Sequence, residues 1–360
     1  MLFTSIRRRL RRMQFPCYMV LIVLLVLAGV VFTSHYFCSS ALREKRTKKI
    51  CMMYKNGMYN GSLCEELCKK SSPFVNIKCS AISPFRFTAQ KNGNIIEFRR
   101  AKEMDNDLAW RSKSGKLNYP KLEDFHHIIK MHLLVNYNVT LEENTLSFLI
   151  KEEIDRNNKD QMLNFYQLFK DHNYLMSKLF EDEELFPTIL GTCGPYYAVE
   201  DLKTTEMRNF FTRYFLGDAP QQMLFKRLLD YIARLDMVRP DPLKICKVNL
   251  HQFGLTSNLR FKALNADYIQ LESQVNRRLA SGKSCWRDSD CDWHQCRGSC
   301  DKQKQICNGA QTNDNLEVLC DFVRANLQHF TELKMRPTTH VLRLYEDRCL
   351  HPMSKDRNKW

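Results

Sequence analysis

The sequence predicts an α+β domain braced by disulfides and placed after one N-terminal transmembrane helix. Three observations predict it. Short apolar runs bounded by turn residues alternate with longer stretches of helical periodicity. Of fifteen cysteines, thirteen lie beyond residue 50. Near the N-terminus YMVLIVLLVLAGVVF, Tyr18 to Phe32, carries no charge. A chain of 360 residues that is 44% hydrophobic has enough apolar side chain for a real core.

The first element is the span. With its flanking aromatics and hydroxyl residues the apolar run fills 18–37, roughly the 20 residues a membrane helix needs. The apolar core of a cleaved signal peptide is shorter, about 7–15 residues. The basic tail 1–17 holds Arg7, Arg8, Arg9, Arg11 and Arg12, and the stem 38–50 holds Arg43, Lys45, Arg46, Lys48 and Lys49. This balance leaves the positive-inside rule nearly tied. The cysteines and sequons beyond the span break the tie towards a type II orientation with the bulk of the chain lumenal. The arginine run has the form of a retention signal for the endoplasmic reticulum read by coat proteins, and it serves equally as a topology determinant. Cys17, at the cytosolic edge, is a palmitoylation candidate or a plain thiol.

The net charge of +15 suggests nucleic acid until it is located. Nine of those charges flank the span, where they face anionic lipid headgroups. The remainder is an ordinary solvated surface, so the partners expected are the membrane and an unidentified lumenal protein, not nucleic acid.

Cysteine usage sets the compartment. Cys51, Cys64, Cys68, Cys79, Cys193, Cys246, Cys285, Cys291, Cys296, Cys300, Cys307, Cys320 and Cys349, with Cys38 at the membrane edge, form an even set suited to an oxidising lumen. Their pairing is not legible from spacing. Asn60-Gly-Ser and Asn138-Val-Thr are N-glycosylation sequons on the same side.

The lumenal elements follow in order. Cys51 to Cys79 make a small cysteine-rich opening segment. Phe85 to Arg100 reads as a hairpin turning at Asn92-Gly93. Leu122, Phe125, Ile128, Ile129 and Leu133 mark a helix face, and a second helical stretch begins near Glu142. Asp155 to Phe169 sits in a helix–loop–helix setting like a calcium loop, but its ligands are wrong. Lys159 falls at the fifth position, Asp160 at the glycine position and Tyr166 at the bidentate glutamate position. Phe186 to Leu202 reads as two strands divided by Gly194-Pro195 and ending in an acidic connector. A helix then starts at an Asp218 N-cap, with Leu224, Leu228, Ile232 and Leu235 on one face.

Next comes ICKVNLHQFGLTSNLRFKALNAD, residues 245–267, with the outline of a kinase catalytic loop and its metal-binding strand. Phosphoryl transfer needs an aspartate at the substrate hydroxyl, an asparagine five residues on, a second aspartate on the metal and a strand lysine on the phosphates. Lys247 stands at the first position, Gln252 at the second and Asn265 at the third. Asp267 is a displaced substitute, about 6–7 Å along a strand from where the metal needs it. NIIEFRR offers Phe98 or Arg99 where lysine is wanted, with Lys102 the nearest amine, and no glycine-rich phosphate loop precedes it. Alternatively, His251 and Gln252 hydrogen-bond a turn.

Together YKNGMYNGSLCEELC, LGTCGPYYAVEDL and SCWRDSDCDWHQCRGSCDKQKQIC followed by NDNLEVLC resemble the divergent protein kinase domain 1 family. These are cysteine-rich type II membrane proteins of the endoplasmic reticulum with a kinase-like lumenal domain. The resemblance implies a two-lobed protein-kinase-like fold. Residues 51–199 form the N-terminal lobe with a degenerate EF-hand-like insert, Glu200 to Leu202 the hinge, and 200–360 the C-terminal lobe with a cysteine-rich block at 285–320. It implies a pseudokinase-like binding or regulatory protein, with no cofactor and no metal expected. A divergent active kinase is the alternative. Another is a Golgi glycosyltransferase using Asp288-Ser289-Asp290, and in a reducing compartment Cys291, Cys296, Cys300 and His294 would suit zinc. Changing both Asn60 and Asn138 to glutamine is expected to abolish a glycosidase-sensitive gel shift of the expressed protein, and a chain that never shifts would overturn the lumenal orientation.

Overall fold

The computed structural model describes residues 23–27, 29, 41–79, 86–102, 108–140, 142–155, 158–203, 219–249, 252–280 and 282–326. The expected span falls mostly outside them, as do Arg7 to Arg12, Cys17, Cys38, Asp218, His251 and Cys349. Among the described residues no helix is long and apolar enough to cross a membrane.

The chain is a mixed α+β structure with disulfide-rich segments. It opens with α1 (Ala41–Lys55) and α2 (Cys64–Cys68), followed by β1 (Val75–Cys79), β2 (Arg86–Lys91) and β3 (Asn94–Arg100). The small hairpin β4 (Trp110–Arg111) and β5 (Leu117–Asn118) leads to four helices: α3 (Leu122–Tyr137), α4 (Glu143–Glu153), α5 (Lys159–Lys170) and α6 (His172–Leu179). The hairpin β6 (Ile189–Cys193) and β7 (Tyr196–Glu200) precedes the long helix α7 (Ala219–Met237). After it come β8 (Leu243–Ile245), β9 (Phe253–Leu255), β10 (Phe261–Ala263), β11 (Ile269–Leu271) and α8 (Glu272–Leu279). The cysteine block contributes β12 (Cys300–Asp301) and β13 (Ile306–Cys307), and α9 (Asn315–Asn326) ends the described chain.

Five strands form an antiparallel sheet in the order β1-β2-β3-β7-β6. The predicted hairpin pairs Lys91 with Asn94 across Asn92, which is left-handed at φ 51°, and Gly93. Alternation along the strands sets the sheet between two cores. Ile96 and Phe98 face one cluster with Phe87, Ala89, Ala198 and the opening segment's Leu63 and Leu67. On the β7 side Tyr197 and Val199 join the main cluster, which runs from Phe125 on α3 to Val318 on α9.

The opening segment is helical, so the expected boundary at residue 50 lies inside α1, where Ile50 is buried. Its attachment to the sheet is intimate. Leu63 N–H donates to the Thr192 carbonyl at 2.9 Å, and Gly194 N–H to the Asn60 carbonyl at 2.8 Å. A Cβ at Gly61 would sit 2.6 Å from the Thr192 oxygen, and one at Gly194 would sit 2.5 Å from the Tyr59 ring. Both glycines also have φ between 59° and 137°, so glycine is required twice over. Two of the three phrases that carry the family resemblance are therefore the two halves of one contact.

The helix–loop–helix is present, and residues at the start of its second helix grip the opening segment. Asn158 Oδ1 caps α5 by accepting from Asp160 and Gln161 N–H. Asn158 Nδ2 and Gln161 Nε2 donate to the Gly57 carbonyl at 2.9 and 3.0 Å, and Asn164 Nδ2 donates to the Met58 carbonyl at 2.9 Å. The insert thus holds the Gly57-Met58 turn of the opening segment, and its Glu153 also accepts a hydrogen bond from Thr192 on β6.

The disulfides pair Cys51 with Cys68, Cys64 with Cys193, Cys246 with Cys296, Cys285 with Cys300 and Cys291 with Cys307. Cys320 is also disulfide-bonded. Cys64–Cys193 closes 129 residues, the longest of these loops, and removes the most freedom from the unfolded chain. Changing both to alanine should cost about 3–5 kcal/mol, read as a lower melting temperature. Equal melting of the variant and the parent would show that the glycine cradle alone suffices.

Candidate functional site

The loop joining β8 to β9 and the loop joining β10 to β11 lie side by side, because β8 pairs with β11 and β9 with β10. Backbone bonds zip them together. Cys246 N–H donates to the Tyr268 carbonyl at 2.8 Å, and the Gln252 carbonyl accepts from Leu264 N–H at 2.7 Å and Asn265 N–H at 3.4 Å. Lys247, Gln252, Asn265 and Asp267 are thereby placed on two adjoining loops. A buried asparagine fixes the strand feeding them: Asn315 Oδ1 accepts from Ile245 N–H at 2.7 Å while its Nδ2 donates to the Leu243 carbonyl at 2.8 Å.

The sequence-predicted positions have these neighbours within the protein. Asn265 Nδ2 donates to Asp267 Oδ2 at 3.1 Å, and Asn265 Oδ1 accepts Asp267 N–H at 2.7 Å. Asp267 Oδ1 meets Asn173 Nδ2 at 3.4 Å and Lys102 Nζ at 3.5 Å. The substitute carboxylate thus closes its own turn and pairs with the nearest amine. The Lys247 ammonium lies 4.9 Å over the Tyr268 ring. Gln252 makes its turn through the backbone, donating to the Asn249 carbonyl at 2.9 Å. Among the described residues its side-chain amide, 4% exposed, has no partner on either atom.

Among the three residues weighed for the strand amine, Arg99 points towards these loops. Phe98 faces the other way and stacks on Phe87 at 4.6 Å. The Arg99 guanidinium is buried, bonding Glu97 Oε2 through Nε and Nη2 at 2.9 and 2.6 Å and the Leu264 carbonyl through Nη1 at 2.8 Å. Burial of a charge demands such pairing. The fork is spent on its own strand and on the carbonyl preceding Asn265.

A second charged strap went unread in the sequence. Lys262, in the middle of the fully buried strand β10, donates to Glu200 Oε1 at 2.5 Å and Thr188 Oγ1 at 3.2 Å. Glu200 Oε1 also accepts Thr188 N–H at 2.9 Å. The signal was available: a lysine flanked by Phe261 and Ala263 in an apolar strand needs a buried acid, and the acidic connector supplies one. Beside that connector runs an open groove of about 590 Å³, lined in part by Ile95, Glu200, Asp201, Lys203, Thr256 and Ser257.

The cysteine block reaches the same place. Cys296 is bonded to Cys246, Gln295 N–H donates to the Cys246 carbonyl at 2.7 Å, and Gln295 Oε1 accepts Val248 N–H at 2.8 Å. Disulfides occupy the sulfurs of Cys291, Cys296 and Cys300 that would have ligated zinc. The Asp288-Ser289-Asp290 carboxylates have structural partners. Asp288 Oδ1 accepts Cys300 N–H at 2.9 Å. Asp290 Oδ2 accepts Trp286 and Arg287 N–H, both at 2.9 Å, and these bonds hold its carboxyl below the usual range.

A family model described as the protein-kinase domain of FAM69 matches residues 165–351, more than half of the chain. A second, described as N-term cysteine-rich ER, FAM69, matches residues 7–152. No solved structure matches the chain. Replacing Lys262 with methionine should strand the Glu200 carboxylate and cost about 3 kcal/mol, read as an earlier urea midpoint. A double change of Lys262→Met with Glu200→Gln should recover much of that loss, and a double variant as weak as the single would show that the pair is not coupled.

Proposed function

The chain belongs to the FAM69 family, and from that premise we propose that its kinase-related domain is a lumenal binding or regulatory module that does not transfer phosphoryl groups. The observation that carries this reading is the amide at position 265. Asn265 stands where a carboxylate should hold the metal, and Asp267, the nearest substitute on that loop, is engaged by Asn265, Asn173 and Lys102. Without a carboxylate free to bind it, a divalent ion has no means there of neutralising a triphosphate. Lys247, at the position of the proton-accepting aspartate, carries the wrong charge for that work.

In this reading the sheet with its helical insert forms one lobe, the elements after Leu202 form the other, and Glu200 to Leu202 is the hinge. The Arg99 and Lys262 straps run between the two. The family description names the endoplasmic reticulum, which agrees with the cysteine usage. The single-pass type II anchor, glycans at Asn60 and Asn138, coat-protein recognition of the arginine run, and a lumenal protein partner complete the proposal. Of the two sequons, Asn138 is exposed at the C-cap of α3, whereas Asn60 is half-buried with its amide directed at the Glu152 carbonyl.

One observation favours retained kinase chemistry. Lys102 and Asp267 bring one amine and one carboxylate within 3.5 Å at the mouth of the loops. A thermal-shift titration of the purified protein separates the two readings. The binding reading expects millimolar MgATP to move the melting temperature by less than about 1 °C, whereas occupancy at a hundred times Kd would add about 2.7 kcal/mol of stability. A shift of several degrees that is lost in Asp267→Ala would overturn it in favour of the kinase.

A further inference from the structure

We propose that the face beside Lys247 is a docking site for an anionic polypeptide segment, gripped by Lys247 and Arg278 along a ladder of the Tyr268, His294 and Trp293 rings. The inference rests on the reading above that these loops bind instead of catalysing, and it names the chemistry of what they bind.

The ladder is continuous. Lys247 Nζ lies 4.9 Å from the Tyr268 ring centre, Tyr268 meets His294 edge-on at 4.8 Å, His294 meets Trp293 at 5.0 Å, and the Arg278 guanidinium lies 4.7 Å over Trp293. Among the described residues, then, the two cations at its ends face rings, and no carboxylate forms an ion pair with either. Arg278 Nε donates to the neutral Gln270 Oε1 at 2.8 Å, and the adjacent Arg277 donates to the Val135 and Asn136 carbonyls. A cation–π contact at an exposed site supplies only about 0.5–1 kcal/mol and leaves the positive charge uncompensated.

The acids nearby are turned to other work. Asp267 is held by Asn265, Asn173 and Lys102, and Asp292 Oδ1 accepts Gly298 N–H at 3.0 Å. His294 registers the result: burial first, then Lys247 and Arg278, push its imidazole below the ordinary value, with no acid among the causes. The field at the middle of the ladder is positive.

The surface is also built to stay in shape. His294 is left-handed at φ 56°, and it is flanked by Cys291, bonded to Cys307, and Cys296, bonded to Cys246. Trp293 N–H donates to the Cys296 carbonyl at 2.9 Å. Such pre-organisation lowers the ordering cost of binding. An extended polypeptide presents same-face side chains about 6.5–7 Å apart, so acidic and apolar side chains that alternate along that one face, at every second residue, can address the cations and rings of the ladder. The anionic group can be a carboxylate or a phosphorylated hydroxyl.

The test uses the full chain in detergent and fluorescence anisotropy with three labelled peptides: one with glutamate and leucine alternating at every second residue and serine between them, the same peptide with phosphoserine for glutamate, and the same with glutamine for glutamate. The glutamate or phosphoserine peptide should bind at least about tenfold more tightly than the glutamine peptide and weaken with added salt. The better binder of the two identifies the anion. Lys247→Glu with Arg278→Glu should lose at least about tenfold in affinity, Trp293→Leu several-fold, and the charge-matched Lys302→Glu with Lys304→Glu should bind as the parent does. Lys247→Gln, a milder change, keeps the result interpretable should the double variant melt early. Equal binding of charged and neutral peptides, an unaffected Lys247→Glu/Arg278→Glu variant, or stronger capture of heparin or anionic vesicles than of any peptide would overturn the site. If no peptide discriminates and MgATP also produces no shift, this site falls while the binding reading stands; an MgATP shift removes the reading itself.

Discussion

The attachment of the opening segment to the β6–β7 hairpin is the constraint on which the rest depends. A five-stranded sheet must cover both faces, and here one is covered by residues that precede it in the chain. Phe87, Ile96 and Phe98 are buried because Leu63, Leu67 and Ile50 lie over them. The Cys64–Cys193 bond and the Gly61 and Gly194 approaches hold that cover in place. Without it the sheet would expose aromatic side chains and would have no fixed seat for the strand that carries Glu97 and Arg99. Asn158, Gln161 and Asn164 add a polar grip from the helical insert. The helix–loop–helix thus serves the chain itself, because the amides of Asn158, Gln161 and Asn164 suit the carbonyl groups of the opening segment.

From that seat, buried charge joins the sheet to the loops. Arg99 and Lys262 are each almost fully buried, and each reaches across a long sequence distance, Arg99 to Leu264 and Lys262 to Glu200. A buried charge is costly unless paired, so these contacts specify one arrangement even where an apolar pair would be as stable. The Arg99 guanidinium bonds Glu97 on its own strand, and the Asp267 carboxylate closes its own turn with Asn265. Since β8 pairs with β11 and β9 with β10, these bonds hold two adjoining loops in one arrangement.

The sequence made the elements legible and left most of their partners hidden, for a physical reason. Periodicity and turn chemistry are local, so the α3 face of Phe125, Ile129 and Leu133, the Asn92-Gly93 turn and the Gly194-Pro195 division could be read directly. Disulfide pairing is set by tertiary proximity, and the Cys64–Cys193 separation of 129 residues has no local signature. The same holds for the choice of Arg99 over Phe98, which depends on which face of β3 meets the loops. The residue types at Lys247, Gln252 and Asn265 were visible because the identity of a side chain is a property of a single position. What those positions do instead required knowing that Asp267 folds back on Asn265 and that Tyr268 lies under Lys247.

The cysteine block links these threads. Read alone, it is a loop-rich segment that needs bridges because it buries little apolar surface. In place, its Cys296 and Gln295 anchor both ends of the Cys246 to Val248 backbone, so it fixes the direction of Lys247 as firmly as its own turns. Its Trp293 and His294 then extend the surface that Lys247 and Tyr268 begin. A loop that only needed to close the fold would not require a disulfide, a glutamine side chain and two aromatic rings converging on an exposed lysine. Fixing a cation on a rigid aromatic surface, with its carboxylate neighbours turned aside, makes physical sense when the counter-charge comes from another molecule.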